Sequence, residues 1–194
     1  MTPPDPALLP TLVAPTAGIR LRPWGEADAG ALVAAWHRPD IAGRSRGSDD
    51  RSLAAAARWI AGAEARAAAG LAVDLVVGPL EGDAVWGEVG VVRRQLRAAG
   101  QDPDVVRTVW EVGWWVVPTE RGRGLASAAV ALLGAWAGGA LDITGWVARI
   151  EPTNRASHVV ARAAGMVRRG RFDADHDLWA GAVPGSPPVP GGPV

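Results

Sequence analysis

A glycine-rich turn between a strand and a helix is the segment of the sequence best suited to chemistry. Residues 114–127 read WWVVPTERGRGLAS, so an apolar strand-like run leads through Gly122 and Gly124 into an apolar helical run. Such a turn directs unpaired backbone N–H groups and the positive end of a helix dipole at one place, which is a site for anions such as phosphate. Arg121 and Arg123 would add positive charge. The structural alternative is a tight turn that needs glycine only for its dihedral angles.

Two glutamates on the predicted strands near this turn are candidates for proton transfer. Glu111 lies on the strand that ends at the turn, and Glu88 lies on a neighbouring strand. Strand alternation places Glu111 on the same face as Trp115. Either carboxylate could take a proton through a water molecule. Either could equally face solvent from a half-exposed strand.

A second polar segment follows further along the chain, where residues 148–167 read ARIEPTNRASHVVARAAGMV. Asn154 is placed to cap a helix, and Ser157 falls in the first turn of that helix.

The histidines are weaker candidates for a functional site. His176 lies in an acidic turn that resembles a metal site, but such turns are usually solvated, and we predict no metal.

Composition excludes several kinds of chemistry. The chain has 194 residues, no Cys and a formal net charge of zero, and all 20 of its cations are Arg. The absence of Cys and Lys removes thiol nucleophiles, Cys-ligated metals, lysine Schiff bases and the phosphate-loop lysine. The balanced charge argues against a nucleic-acid partner. The sequence contains no apolar run of membrane-spanning length and no signal peptide, so we expect a cytoplasmic protein.

The pattern of elements predicts one folded domain of the α+β class. Residues 1–17 are proline-rich and read as an extended lead-in, residues 18–181 as the domain, and residues 182–194 as a Pro/Gly-rich tail. Within the domain the predicted order is β-α-α-β-β-β-α-β-α-β-β. This order implies a central mixed sheet flanked by helices, with one β-α-β crossover.

At the two polar segments the sequence resembles the GNAT acyl-CoA N-acyltransferases, especially the branch similar to the RimJ/RimL ribosomal-protein N-terminal acetyltransferases. The family signature is Arg or Gln, two residues, Gly, one residue, then Gly or Ala, and Arg121, Gly124 and Ala126 match it. Asn154 and Ser157 match the second motif of that branch, whereas Met166 stands where Phe is usual. The resemblance implies a GNAT-like fold with a central, mostly antiparallel mixed sheet.

The resemblance also implies a binding mode for acetyl-CoA as co-substrate, without a metal. The turn would hold the CoA pyrophosphate by backbone N–H groups, and the preceding strand edge would pair with the pantetheine arm. Asn154 would hydrogen bond to that arm. The cofactor residues implied in this way are Trp115, Val116, Val117, Arg121, Gly122, Arg123, Gly124, Leu125, Ala126, Asn154 and Ser157.

The implied reaction is direct attack of a primary amine on the thioester in a ternary complex. The leaving thiolate needs a proton, and a free thiol has a pKa near 8.5. Many family members use a Tyr as the acid, but this chain has no Tyr. The catalytic candidates are therefore Glu111 and Glu88 as bases and Ser157, or bound water, as the acid.

Several alternatives stay open at this point. A non-catalytic CoA-binding module is one, because the usual Tyr is missing. A dinucleotide-binding oxidoreductase is another, because GRGLAS resembles a degraded dinucleotide fingerprint, although Ser127 replaces its third Gly. The acceptor is a peptide N-terminus or a small-molecule amine, and the acyl group is acetyl or a longer group such as succinyl. The oligomeric state is monomer or homodimer.

Overall fold

The computed structural model describes residues 9–42, 50–97 and 106–184. The strands within these ranges are β1 (Leu12–Ala14), β2 (Ile19–Pro23), β3 (Ala72–Pro79), β4 (Gly87–Arg97), β5 (Val106–Val116), β6 (Gly145–Ile150), β7 (Val167–Arg171) and β8 (Asp177–Ala182). The α-helices are α1 (Ala29–Trp36), α2 (Pro39–Ala42), α3 (Leu53–Ala61), α4 (Ala63–Ala68), α5 (Leu125–Ala140) and α6 (Arg155–Ala163). Short 3-10 turns cover Pro15–Ala17, Glu26–Asp28 and Pro118–Glu120.

The strands form a mixed sheet in the order β1-β2-β3-β4-β5-β6-β8-β7. The pairs β1–β2, β2–β3, β6–β8 and β7–β8 are antiparallel, whereas β5 and β6 are parallel and are connected through α5. This arrangement confirms the predicted mixed, mostly antiparallel sheet flanked by helices. Because parallel neighbours need a crossover, the turn after β5 leads directly into the crossover helix.

The first strand, β1, differs from the predicted order, which has no strand before Ile19. Residues Leu12–Ala14 pair with β2, with Leu12 opposite Leu21 and Ala14 opposite Ile19. The flanking prolines explain the difference, because proline-rich sequence favours an extended chain without regular hydrogen bonding. Pro15 in fact begins the 3-10 turn, and Gly18 at φ 66° closes it by donating to the Pro15 carbonyl. Proline at the end of a strand leaves the interior hydrogen bonds intact.

The described residues divide between two compact units. Among the described residues, the first unit comprises 9–42, 50–90 and 113–129, and the second comprises 91–97, 106–112 and 130–184. No helix in the described ranges has the length and apolar character that a membrane crossing requires. Most of residues 42–50 and 94–107, which connect predicted elements, lies outside the described residues.

The core of the first unit is rich in tryptophan. Its buried residues are Trp24, Ala29, Leu32, Ala35, Trp36, Ile41, Ala55, Ala56, Ile60, Val76 and Trp115. Trp24 meets Trp59 edge to face, with ring centroids 6.0 Å apart, and lies 6.4 Å from Trp115. Aromatic pairs at such distances add to the stabilisation that burial alone gives. In this way the end of β5 is packed against the helices of its own unit.

The core of the second unit lies around β6 and β8. Trp146 is fully buried on β6, and Trp179 on β8 is 4% exposed. Helix α6 contributes Val160 and Ala161 to the buried set, and Met166 follows it at 2% exposure. Met166 thus fills the apolar position where the family pattern has Phe, so the departure preserves burial.

An ion pair fixes the entry to α1. Arg22 donates to both carboxylate oxygens of Asp28, at 2.6 Å and 2.9 Å, and the Gly25 amide donates to the same carboxylate at 2.8 Å. Asp28 is 6% exposed. Burial raises the pKa of Asp28, but the hydrogen bonds from Arg22 and Gly25 outweigh it, so the pKa lies below its usual value.

We expect Asp28→Asn to lower the free energy of unfolding at pH 7 by about 2 to 3 kcal/mol, because the neutral amide leaves Arg22 without its charged partner. A carboxyl with a lowered folded-state pKa contributes stability that is present above its unfolded pKa, about 3.9, and is lost as the pH falls through the folded value. Urea unfolding at pH 7 and pH 3 measures both effects.

The matched control for this variant is Asp83→Asn, because the Asp83 side chain is 92% exposed and lies 3.6 Å from Arg20. An exposed ion pair contributes under about 1 kcal/mol. The role of Asp28 is contradicted if both variants lose the same stability, or if the deficit of Asp28→Asn does not shrink at pH 3.

Candidate cofactor and catalytic site

The turn between β5 and α5 depends on two glycines. Gly122 and Gly124 have φ values of 78° and 76°, in the left-handed region that favours glycine. Apart from the two chain neighbours, no atom of the described residues lies within 4 Å of the position where either would carry a Cβ, so the requirement for glycine is conformational. The first bond of the helix runs from the Ala128 amide to the Gly124 carbonyl, at 3.1 Å.

The amides from Gly122 to Ser127 therefore precede the hydrogen-bond ladder of α5. Residues 121–124 are exposed, whereas Leu125 is buried at 4% exposure and anchors the helix start. Unpaired amides at the start of a long helix carry the positive end of its dipole. The turn can accordingly bind an anion with its backbone.

The two arginines of the turn are engaged within the first unit. Arg121 donates from Nε to the Val116 carbonyl at 2.8 Å and from Nη2 to Asp40 Oδ2 at 2.5 Å. This bond from Arg121 lowers the pKa of Asp40 below its usual value. The sequence predicts added positive charge from both arginines of the turn. Because Arg121 is paired with Asp40, it instead ties the end of β5 to α2.

Arg123 is also paired. Its guanidinium contacts the Glu120 carboxylate and lies 5.0 Å from the centre of the Trp86 ring. Both positive charges of the turn are thus compensated by a neighbouring carboxylate. Anion binding at this turn would depend mainly on the amides and the helix dipole, since these need no side-chain charge.

The end of β5 supplies a strand edge. The register between β5 and β6 pairs Trp110 with Trp146 and Glu111 with Val147, whereas β5 itself continues to Val116. Val117, the next residue, donates to the Trp86 carbonyl at 2.8 Å on the β4 side. An edge that continues past its registered pairing can accept an extended ligand as an added strand.

The two adjacent tryptophans of β5 have different surroundings. Trp115 is 4% exposed and belongs to the core of the first unit, and Val116 is 8% exposed. Trp114 is half-buried. Trp114 is therefore the tryptophan of this pair that is able to line a groove, because Trp115 is enclosed by protein.

Asn154 caps α6 in the predicted way. Its side-chain oxygen accepts from the Ser157 amide at 3.1 Å. The cap uses only the oxygen, so the amide NH₂ group is left to donate elsewhere. Ser157 is 8% exposed in the first turn of the helix. Both residues lie at the start of α6 in the second unit.

Glu111 is buried, and its oxygens face two arginines of the second unit. It is 5% exposed, with Oε1 accepting from Arg149 Nε at 3.0 Å and Oε2 lying 3.4 Å from Arg149 Nη2 and from Arg94 Nε. The solvent-facing alternative is therefore wrong for Glu111. The Glu111 carboxylate therefore lies against two guanidinium groups, an arrangement that suits an anchor for both of them.

The other candidates differ in their surroundings. Glu88 is half-buried on β4, and it too takes part in an interaction. The acidic turn near His176 is occupied by its own atoms, because Asp173 Oδ1 accepts from the Asp175 and His176 amides at 2.9 Å and 2.7 Å. Within the ranges that the structure describes, no group of three His or carboxylate side chains could hold a metal ion.

The strand β5, the glycine turn and the crossover helix α5 together place backbone amides ahead of the helix ladder, where an anion can bind. The family model of the acetyltransferase (GNAT) domain matches residues 19–167. The chain belongs to this family, and it is an acyl-CoA-dependent acetyltransferase that uses acetyl-CoA. The predicted family, fold class and co-substrate are thereby confirmed.

Solved structures share the fold across most of the chain. Mycobacterium smegmatis RimJ in complex with CoA-disulfide has a TM-score of 0.68 at 21% identity and covers 94% of this chain and 90% of its own. An acetyltransferase from Agrobacterium tumefaciens has a TM-score of 0.64 at 25% identity, with coverages of 89% and 94%.

A third structure is the microcin C7 self-immunity acetyltransferase MccE in complex with acetyl-CoA and AMP. Its TM-score is 0.65 at 14% identity, and it covers 92% of this chain and 100% of its own. No curated protein matches the chain.

We expect Gly124→Asp to weaken CoA binding at least tenfold, about 1.4 kcal/mol, because a carboxylate would stand where the backbone meets a phosphate. Isothermal calorimetry on the folded variant gives the dissociation constant. Gly124→Asn is the matched control, since Asn has the same shape and also tolerates a positive φ. Its affinity should lie between those of the parent and the Asp variant. Equal affinity of all three proteins would leave the turn a structural connector only.

Proposed function

We propose that the protein transfers an acetyl group from acetyl-CoA to a primary amine, by direct attack in a ternary complex. The observation that carries this proposal is the exposed turn between β5 and α5, whose amides precede the helix ladder, in a chain that belongs to the GNAT family. In this proposal the CoA pyrophosphate binds the amides from Gly122 to Ala126, because the amide of Arg121 donates to the Pro118 carbonyl at 3.3 Å. The pantetheine arm pairs with the strand edge from Trp115 to Val117 and accepts from the Asn154 NH₂ group.

Proton transfer in the proposed reaction uses Glu88 and Ser157. Glu88, acting through a water, removes the proton from the amine, because Glu88 is half-buried and within reach of water, whereas Glu111 is only 5% exposed. Ser157 or water protonates the leaving thiolate. A hydroxyl is a weak acid, so water carries a substantial part of this step.

The acceptor is proposed to be a peptide N-terminus or a small-molecule amine. The first is supported by the fold likeness to a RimJ and to a ribosomal-protein-S5-alanine acetyltransferase from Vibrio fischeri. The second is supported by the likeness to MccE, which was solved with AMP. We further propose a cytoplasmic protein, monomeric or homodimeric, without a nucleic-acid partner.

A screen of acyl-CoAs against amines, read as released thiol, tests this function. Acetyl-CoA with at least one peptide or small amine should release thiol well above the rate without amine. CoA binding without turnover of any amine would favour the non-catalytic binding module. Binding of a nicotinamide dinucleotide in place of CoA would favour the oxidoreductase alternative.

Once an acceptor is found, we expect Glu88→Gln to lower kcat by about 10² to 10⁴ while the dissociation constant for CoA stays within twofold, because Gln keeps the shape but cannot take a proton. Ser157→Ala should have a smaller effect. The measurement is kcat of the parent and of both variants from pH 6 to 10. A Glu88→Gln profile that overlays the parent profile would assign proton removal to Glu111, to solvent or to an amine that arrives neutral.

A further inference from the structure

Three residues on neighbouring strands form a charged cluster that the proposed transfer does not use. Arg94 lies on β4, Glu111 on β5 and Arg149 on β6, all within the second unit. Glu111 accepts from Arg149 Nε at 3.0 Å, and Arg94 Nε lies 3.4 Å from its other oxygen. We call these three residues the arginine cluster. One carboxylate thus serves two guanidinium groups.

The carboxylate of the cluster is the buried part and the arginines are the exposed part. The side chain of Glu111 is 6% exposed, whereas those of Arg94 and Arg149 are 37% and 30% exposed. The Arg149 guanidinium also lies 5.2 Å from the centre of the Phe172 ring, which restricts its position. The buried carboxylate of Glu111 therefore positions the two more exposed guanidinium groups of Arg94 and Arg149.

Donors are left over in this arrangement. A guanidinium has five N–H groups, and Glu111 engages Nε and Nη2 of Arg149 and lies beside only Nε of Arg94. That Nε of Arg94 is buried and makes no hydrogen bond to any described residue. The cluster can still donate to a second acceptor through the remaining nitrogens.

The formal charge of the cluster is +1, and its surroundings do not reverse the sign. The described residues of the second unit include ten Arg against six Asp and Glu. Two guanidinium groups that share one carboxylate repel each other, and a second anion would relieve that repulsion. The planar fork of Arg matches a carboxylate bidentately, so a carboxylate is the anion that fits.

The cluster also lies on the strand that leads to the proposed cofactor edge. Glu111 precedes Trp115 by four residues on β5, a distance of about 13 Å at the rise of a strand. In the proposed function the pantetheine arm pairs with this same strand, so β5 carries both the proposed cofactor edge and the carboxylate of the cluster.

We propose that Arg94 and Arg149, positioned by Glu111, bind a carboxylate carried by one of the two reactants. This inference rests on the proposed function for the identity of those reactants. The carboxylate belongs either to the acceptor, as in an amino acid, or to the acyl group, as in a succinyl chain. Glu111 is a positioning residue in this assignment, because it acts through the arginines.

The experiment has two arms, each with a charged and a neutral ligand of the same shape. The acceptor arm compares amino acids with their amides in the presence of acetyl-CoA. The acyl arm compares succinyl-CoA with butyryl-CoA. Both arms are read as kcat/KM and as dissociation constants, by calorimetry for the acyl-CoAs and by ligand-observed NMR for the amines. A protein that turns over no amine contradicts the proposed function, and the binding data still decide the present inference.

The variants are Arg94→Gln and Arg149→Gln, with Arg169→Gln as the matched control. Arg169 is exposed at the bulge of β7 in the same unit, so the control removes the same charge elsewhere. The double variant Glu111→Gln with Arg149→Gln covers the case in which Arg149→Gln alone unfolds, because it leaves no buried unpaired carboxylate. Thermal unfolding of each protein establishes that it is folded.

We expect the parent to prefer the charged ligand at least tenfold in one arm, and that arm identifies the source of the carboxylate. Arg94→Gln and the Arg149 variants should reduce the preference to twofold or less, while values for the neutral ligand change less than threefold. Arg169→Gln should keep the parent preference. The inference is overturned if neither arm shows a preference, if the preference survives in the cluster variants, or if the control loses it equally.

Discussion

The change of the chain from strand to helix after β5 is the constraint on which the candidate site depends. A strand pairs its amides with neighbours and a helix pairs them within itself, so the residues between the two have amides that neither pattern satisfies. Here that gap spans Gly122 to Ser127, and the left-handed conformations of Gly122 and Gly124 keep it short. The binding capacity of the turn is therefore a consequence of the β5-α5-β6 crossover itself.

Arginine chemistry determines how the rest of the charge is arranged. Without Lys, every cation is a planar fork, and the structure uses these forks in pairs with carboxylates: Arg22 with Asp28, Arg121 with Asp40, Arg123 with Glu120, Arg149 with Glu111 and Arg168 with Asp177. The formal net charge is zero, and these pairs also compensate the charge locally. It follows that the charge of a residue in the sequence says little about the field at the site.

Local features of the site could be predicted from the sequence because the residues that create them are close together in the chain. The glycine turn and the Asn154 cap each depend on a few consecutive residues, and both have the expected form. The partners of the charged residues could not be predicted in this way. Arg121 meets Asp40 across 81 residues, and Arg149 meets Glu111 across 38, so no spacing rule connects them.

The same distinction applies to Glu111. The sequence allows a base or a solvent-facing residue at this position, whereas the structure shows a buried carboxylate paired with arginine. Strand alternation assigns a side chain to a face, but that face is buried or exposed only through what packs on it. Arg149 lies on β6, and the whole of α5 separates it from Glu111 in the sequence. The residues around Glu111 therefore do not indicate that Arg149 is its partner. A buried carboxylate needs a charged partner, so the burial of Glu111 depends on the position of Arg149. The pairing of Glu111 with Arg149 is thus the arrangement of an anchor, and the half-buried Glu88 is the base that we propose.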